Sequence, residues 1–568
     1  MAVSFVTTRL LVGALALAAC ADDSATSAGG SGGAPEGGAG ATGQGGSAGG
    51  GGGEGGAPSQ VDWASCPLYL DQPNGAQAEC ATIEAPLRWS EPDGPQIGVF
   101  VQRLRAPVQP SRGQVWLLEG GPGGSGADFD KIMAEFQKLD PTLDFYAIDH
   151  RGVGRSARLS CPGEDSATSA WGTSVSPEEA PACRDEVLAA WGDDLDEFTT
   201  TSAARDLGWL IDRTAEPGRD VFVYGVSYGT YWAIRYLQLF PNQATAVVLD
   251  SIAPPGESFL HYDEDFDAVG QDFMDLCATD PLCAAKLGAD PWGATKDVLT
   301  LLDGGHCAEL ATKWGLNRQA ARTVFAYLLT STVTRAYFPA FVYRLARCDA
   351  ADVTALDHLL GVLFGNAETS YYATLSSDAL FYNVALSELW PDASEHPTVE
   401  SVSAIEDALS VSTGLTPRVT AVQDVWPAYE DDSFVGQWPD TQIPVLMMNG
   451  DLDPMTPIWV GGQAAQHFTG PQQWFYRVPR AAHAVIVETP GDEPCGRTIL
   501  FSFLADPTKE PDTTCLEAIP EESFAGDPPL NNYLLGTADL WENAAALNDV
   551  GEPSAATLAA LRDRLGRY

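Results

Sequence analysis

From residue 61 onward, apolar and polar positions follow two rhythms, and each rhythm predicts one kind of element. Short runs rich in Val, Ile, Leu and aromatic residues at 97–104, 113–118 and 143–148 predict strands. Phe129, Ile132, Met133, Phe136 and Leu139 recur at helical spacing and predict a helix over 126–139. A second helix is expected over 202–214, with Ser202 as N-cap and Leu207, Leu210 and Ile211 on one face. A strand at 220–225, a helix at 228–240 stopped by Pro241, and a strand at 246–250 follow. Strand, helix and strand in succession imply parallel strands joined by helical crossovers.

Pro254 and Pro255 end that regime. Residues 256–437 carry helical patterns, as at 320–330 and 355–364, and no clear strand pattern. Strand signals return at 443–448 and 473–478. The expected organisation is an α/β domain in two pieces, 61–255 and 438–525, with a helical cap inserted between them. Residues 526–568 read as a C-terminal appendage ending in a helix at 555–565. A chain of 568 residues suits such a large domain with an insertion.

The first sixty residues have a different character. Arg9 precedes an apolar run over 10–19, too short to span a bilayer but sized for a signal-peptide core. The run ends in Leu17-Ala18-Ala19-Cys20, which resembles a bacterial lipobox, so Cys20 is the expected lipidation site. Residues 1–20 thus read as a lipoprotein signal peptide, and the protein as exported and lipid-anchored, periplasmic or at the cell surface. Residues 21–60 are almost entirely Gly, Ala and Ser, the composition of a disordered tether.

Seventy-seven acidic residues against 31 Lys and Arg give a formal charge of −46, which would repel a phosphate backbone and argues against nucleic acid as a partner. The same charge suits a solvated extracytoplasmic surface, or the steering of a cationic substrate such as a peptide amino terminus. Eleven cysteines leave ten once Cys20 is set aside, and none forms a C-x-x-C pattern. Disulfides between sequence neighbours are expected: 66–80, 161–183, 277–283, 307–348 and 495–515.

Chemistry concentrates at Gly225-Val226-Ser227-Tyr228-Gly229, a G-x-S-x-G motif with a strand running in and a helix running out. The Gly-rich tether also matches the bare pattern at 29–33 and 45–49, so the strand and helix are what single out Ser227 as nucleophile. The turn places the Ser hydroxyl at a helix N-terminus, which favours developing negative charge. The Tyr228 N–H is one expected oxyanion donor. The other is the N–H of Gly121, in the run Glu119-Gly120-Gly121-Pro122-Gly123-Gly124 after the strand at 113–118. No Lys follows that run as a phosphate loop requires.

Acid and base should follow the Ser at later strand ends. Asp453, held extended by Pro454, is favoured over Asp451 as the acid, with Thr456 as a candidate partner. His483 lies just after the strand at 473–478 and is the expected base; His467 precedes that strand and His150 precedes the Ser. This chemistry needs neither metal nor organic cofactor.

GGPGGSG at 120–126, DHRGVGRS at 149–156, GVSYGTY at 225–231, VVLDS at 247–251, NGDLDPMTP at 449–457 and AAHAVI at 481–486 together resemble the tripeptidyl-aminopeptidase-like branch of the prolyl-iminopeptidase peptidases. The resemblance spans roughly 61–255 and 440–505, not the cap. It implies an α/β-hydrolase fold with a helical cap, the triad Ser227, Asp453 and His483, and peptide substrates cut near the amino terminus. Glu119 departs from the pattern, since prolyl iminopeptidases usually carry His there, which weakens any inference of strict proline specificity. Capture of a substrate ammonium calls for carboxylates, with Glu119, Asp250, Asp263, Glu264 and Asp265 as candidates. A carboxylesterase or lipase with the same triad is the alternative, and a non-catalytic surface binding protein on this scaffold is a third reading.

Overall fold

The computed structural model describes residues 61–543 apart from 164, 167, 170, 366–371, 492 and 493, together with 553, 554, 557 and 558. The expected signal peptide, Cys20 and the tether lie outside the described residues, as does nearly all of the expected helix at 555–565.

One nine-stranded sheet has the order β1-β2-β3-β5-β4-β6-β7-β8-β9. Its central strands β4 (Gly113–Leu118), β5 (Leu143–Ile148), β7 (Ala246–Ile252) and β8 (Val445–Gly450) are buried at every position. With β6 (Asp220–Ser227) and β9 (Gln473–Val478) they pair in parallel. Such near-continuous apolar runs are what a sheet covered on both faces requires. The strand expected at 443–448 begins at Val445 and runs on to Gly450.

The edge of the sheet was illegible in the sequence. β1 (Ala64–Pro67) and β2 (Gln77–Pro86) join β3 (Gln96–Leu104) antiparallel, although β1 reads only Ala-Ser-Cys-Pro and β2 mixes buried with exposed positions. Edge pairing by short, half-polar segments leaves little periodicity to detect.

Helices cover both faces. α1 (Asp130–Leu139) and a helix at Cys495–Ala505 pack on one face; α2 (Thr200–Thr214) and α3 (Tyr228–Leu239) pack on the other. Residues 126–129 form a 3-10 turn ahead of α1. The N-cap of α2 is Thr199, not Ser202: the extended Thr199 accepts from the Ser202 N–H, so the helix starts earlier.

The cap begins with α4 (Tyr262–Thr279), and no strand occurs between β7 and β8 among the described residues. It has two apolar centres. One holds helices of 262–363 together with Phe524, Leu530, Leu534 and Trp541, so the chain just before and after 526 packs into the cap. The other joins α5 (Asp378–Glu388) and residues 419–426 to the long β5–α2 connection and to Tyr228 and Tyr231 of α3. Five disulfides join 66 to 80, 161 to 183, 277 to 283, 307 to 348 and 495 to 515, the expected neighbour pairing.

Candidate active site

β6 turns into α3 through Ser227, which is at once the last strand residue and the helix N-cap. Its φ of 56° and ψ of −131° are strained for a residue with a side chain. The turn closes because its neighbours are glycines: a Cβ on Gly225 would strike the Gly229 carbonyl, and one on Gly229 would strike that of Leu118. The Thr230 hydroxyl donates to the Ser227 carbonyl (2.6 Å) and accepts from the Ala253 N–H (2.9 Å), tying the turn to the chain leaving β7.

The glycine loop after β4 lies against this serine. A Cβ on Gly120 would fall 2.8 Å from Ser227 Cβ and 3.1 Å from its Oγ, so only a bare backbone fits. The Glu119 carboxylate accepts the Gly120 N–H (3.0 Å), which leaves the Gly121 N–H, at φ 111°, as the next donor along the loop. Tyr228 supplies the first N–H of α3, and its hydroxyl lies 2.8 Å from Thr200 Oγ1 and 3.3 Å from His150 Nε2.

Buried Asp149, quoted in sequence only as part of a resemblance, anchors the loop. It accepts from the Ser125 hydroxyl (2.6 Å), the Gly126 N–H (2.8 Å), and the Arg155 N–H (2.8 Å) and Nε (3.0 Å). On the cap side, the Gly123 carbonyl accepts from the Ser377 N–H (3.0 Å), just ahead of α5.

The loops after β8 and β9 bring Asp453 and His483 together. Both Asp453 oxygens lie 3.0 Å from His483 Nδ1. The carboxylate also accepts from the N–H groups of Met455 (2.9 Å) and Thr456 (3.0 Å) and from the Thr456 hydroxyl (2.8 Å). Full burial pushes the Asp453 pKa up, but His483 and these hydrogen bonds outweigh it and hold the carboxyl below its usual value. Asp451 pairs instead with Arg477 at the surface.

The His483 loop is latched to β7, the strand that pairs with the end of β6 at Ser227. Ser227 pairs with Ile252 in the sheet register, and the adjoining Ser251 hydroxyl accepts the Ala484 N–H at 2.8 Å. His467 stacks on Trp438 (centroids 4.1 Å), and His150 is buried, its pKa pushed down to about 4 by burial.

The sequence-predicted ammonium carboxylates do not gather. Asp250 is fully buried and accepts from Tyr224 Oη and the N–H groups of Val485 and Ile486, so it belongs to the scaffold of the His loop. Asp263 is buried too, accepting from the N–H groups of Thr413 (2.7 Å) and Thr416 (2.8 Å). Both are corrections: the two carboxylates are buried away from solvent, out of reach of a substrate ammonium in this structure. Glu264 lies 2.8 Å from His261 Nδ1 near the surface. Asp265 accepts from Trp459 Nε1 (2.9 Å), reaching the segment that follows the acid loop.

Glu257, on the connection from β7 to the cap, was missed because only its place after Pro254-Pro255-Gly256 marks it. Burial first, and then Asp265, push its pKa up to about 8. Among the described residues, no group of three or more His, Cys, Asp or Glu side chains could hold a metal, and no helix is long and apolar enough to cross a membrane.

Two stretches match family models: residues 115–285 that of the alpha/beta hydrolase fold, and residues 418–515 that of TAP-like protein. A tripeptidyl aminopeptidase of Streptomyces lividans is 30% identical over 228 residues, covering 36% of this chain and 41% of that relative. Serine protease Hip1 of Mycobacterium tuberculosis is 27% identical over 267 residues, covering 43% and 49%. Carboxylesterase B of the same species is 28% identical over 311 residues, covering 50% and 57%. The matched region thus spans between 41% and 57% of the length of these relatives.

Proposed function

Taking the chain as the α/β hydrolase that its fold and motifs make it, we propose that it is a serine exopeptidase acting near peptide amino termini through an acyl-enzyme on Ser227. The observation that carries this reading is a strained serine at a strand-to-helix turn together with the Asp453–His483 pair, whose loop is latched to the strand that pairs with Ser227. Ser227 Oγ attacks the carbonyl while His483 Nε2 takes its proton; Asp453 fixes the imidazole tautomer and stabilises the imidazolium. The N–H groups of Gly121 and Tyr228 receive the oxyanion, each worth about 3 kcal/mol. His483 then protonates the leaving amine, and water releases the acyl group.

The peptidase relatives support peptide over ester substrates. The esterase reading draws on the match to a carboxylesterase. Rates on tripeptidyl and aminoacyl p-nitroanilides beside simple p-nitrophenyl esters decide between them: hydrolysis of the esters alone rejects the exopeptidase.

The reading includes export and a lipid anchor at Cys20. Its support is the lipobox-like leader and five disulfides, which persist in oxidising compartments. Incorporation of radiolabelled palmitate that disappears in Cys20→Ala tests it.

A further inference from the structure

We propose that Asp250 is a positioning residue for the catalytic base: its carboxylate fixes the main chain that carries His483 and keeps a negative charge close to the imidazole. The proposal rests on the reading of His483 as base and extends it to a group outside the triad.

Asp250 Oδ1 accepts the Val485 N–H at 2.8 Å; Oδ2 accepts the Ile486 N–H at 3.1 Å and the Tyr224 hydroxyl at 2.8 Å. Its neighbour Ser251 accepts the Ala484 N–H at 2.8 Å. Three consecutive amides directly after His483 are therefore gripped by two adjacent side chains near the end of β7. Ser251 (φ 56°) and Ala484 (φ 67°) both take left-handed backbone here, a cost met only where surrounding contacts fix the conformation. The latch sets the height of the imidazole over the strand that pairs with the end of β6, where Ser227 sits.

Charge gives the arrangement a second consequence. The groups facing Asp250 are Tyr224 from β6 and the amides and imidazole of the His483 loop; Tyr224 in turn feels Glu119 and Arg497. Burial raises the Asp250 pKa to about 6 against the pull of Tyr224, the two amides and His483. Near neutrality Asp250 is mostly an anion. When His483 takes the Ser227 proton, the new positive charge is balanced by Asp453 at Nδ1 and assisted by Asp250 beneath the loop.

The test uses the full chain and a tripeptidyl p-nitroanilide, with kcat and KM followed across pH and active sites counted by a fluorophosphonate. Asp250→Asn should lower kcat per site about tenfold or more, with KM within about threefold. It should also move the acidic limb of kcat/KM to lower pH, because losing a nearby negative charge weakens proton binding by His483. General damage to the fold lowers the number of sites and leaves that limb in place. Tyr224→Phe serves where Asp250→Asn does not fold: it removes a bond that favours the ionised carboxylate, so a loss of rate near neutrality should recover at alkaline pH. Asp250→Asn with unchanged kcat and an unmoved limb overturns the proposal, as does a Tyr224→Phe rate profile parallel to that of wild type. Activity surviving in Ser227→Ala overturns the triad reading itself; an inactive Ser227→Ala beside a normal Asp250→Asn removes this inference alone.

Discussion

Glu488, at the far end of the loop that carries His483, accepts hydrogen bonds from the N–H and hydroxyl of Thr332 (both 2.9 Å) in the cap. The Ser331 hydroxyl adds a bond at 3.0 Å, and Arg335 Nη1 donates to the Arg480 carbonyl at 2.6 Å. The His483 loop is thus held by β7 on one side and by the cap on the other, so displacement of the cap bears directly on His483.

Glu488→Ala should uncouple them. Amide hydrogen exchange is expected to rise in residues 331–335 and 481–488, with kcat falling about threefold to tenfold. Exchange unchanged in both segments would show that these bonds do not join the two parts.

Asp453→Asn keeps the shape of the acid and loses the charge that fixes the imidazole tautomer. Its kcat should drop by about three to four orders of magnitude with KM little changed. Asp451→Asn, which loses only a surface pair with Arg477, should stay within about twofold of wild type. Steady-state kinetics of the two variants side by side check the assignment of the acid.

Two buried carboxyls make stability fall as pH rises. Burial pushes Asp130 up to about 8, against Arg155 and Tyr372. Glu406 also lies at about 8, raised by burial and then by Asp263. Each is raised above its unfolded value, so its contribution is full below about pH 4 and is lost as pH climbs through about 8. Thermal melts of Asp130→Asn and Glu406→Gln should lose less Tm than wild type between mildly acidic and alkaline pH, by about 2 °C or more.

Disulfides of different span should differ in value. The 307–348 bridge closes a separation of 41 and the 277–283 bridge one of 6. Loop-closure entropy assigns them about 4 and about 2 kcal/mol. Chemical denaturation of the paired Cys→Ser variants checks the ranking.

The central strands and the Ser227 turn into α3 were legible because burial on both faces and a tight glycine turn leave strong local patterns. The edge strands β1 and β2 were not, since half-exposed pairing tolerates polar residues. Carboxylate roles were the least legible. Asp250 and Asp263 look like any other acid in the chain, and only their partners, the amides of 485, 486, 413 and 416, reveal that they hold backbone. Glu488 and Asp149 escaped for the same reason: their partners lie far away in sequence.

The identity of the nucleophile is tested most directly by treating the folded protein with a fluorophosphonate and locating the adduct by peptide mass spectrometry. The adduct should sit on Ser227 alone, form far more slowly in His483→Ala, and be absent from an inactive Ser227→Ala. An adduct on another residue, or undiminished hydrolysis by Ser227→Ala, would contradict the account.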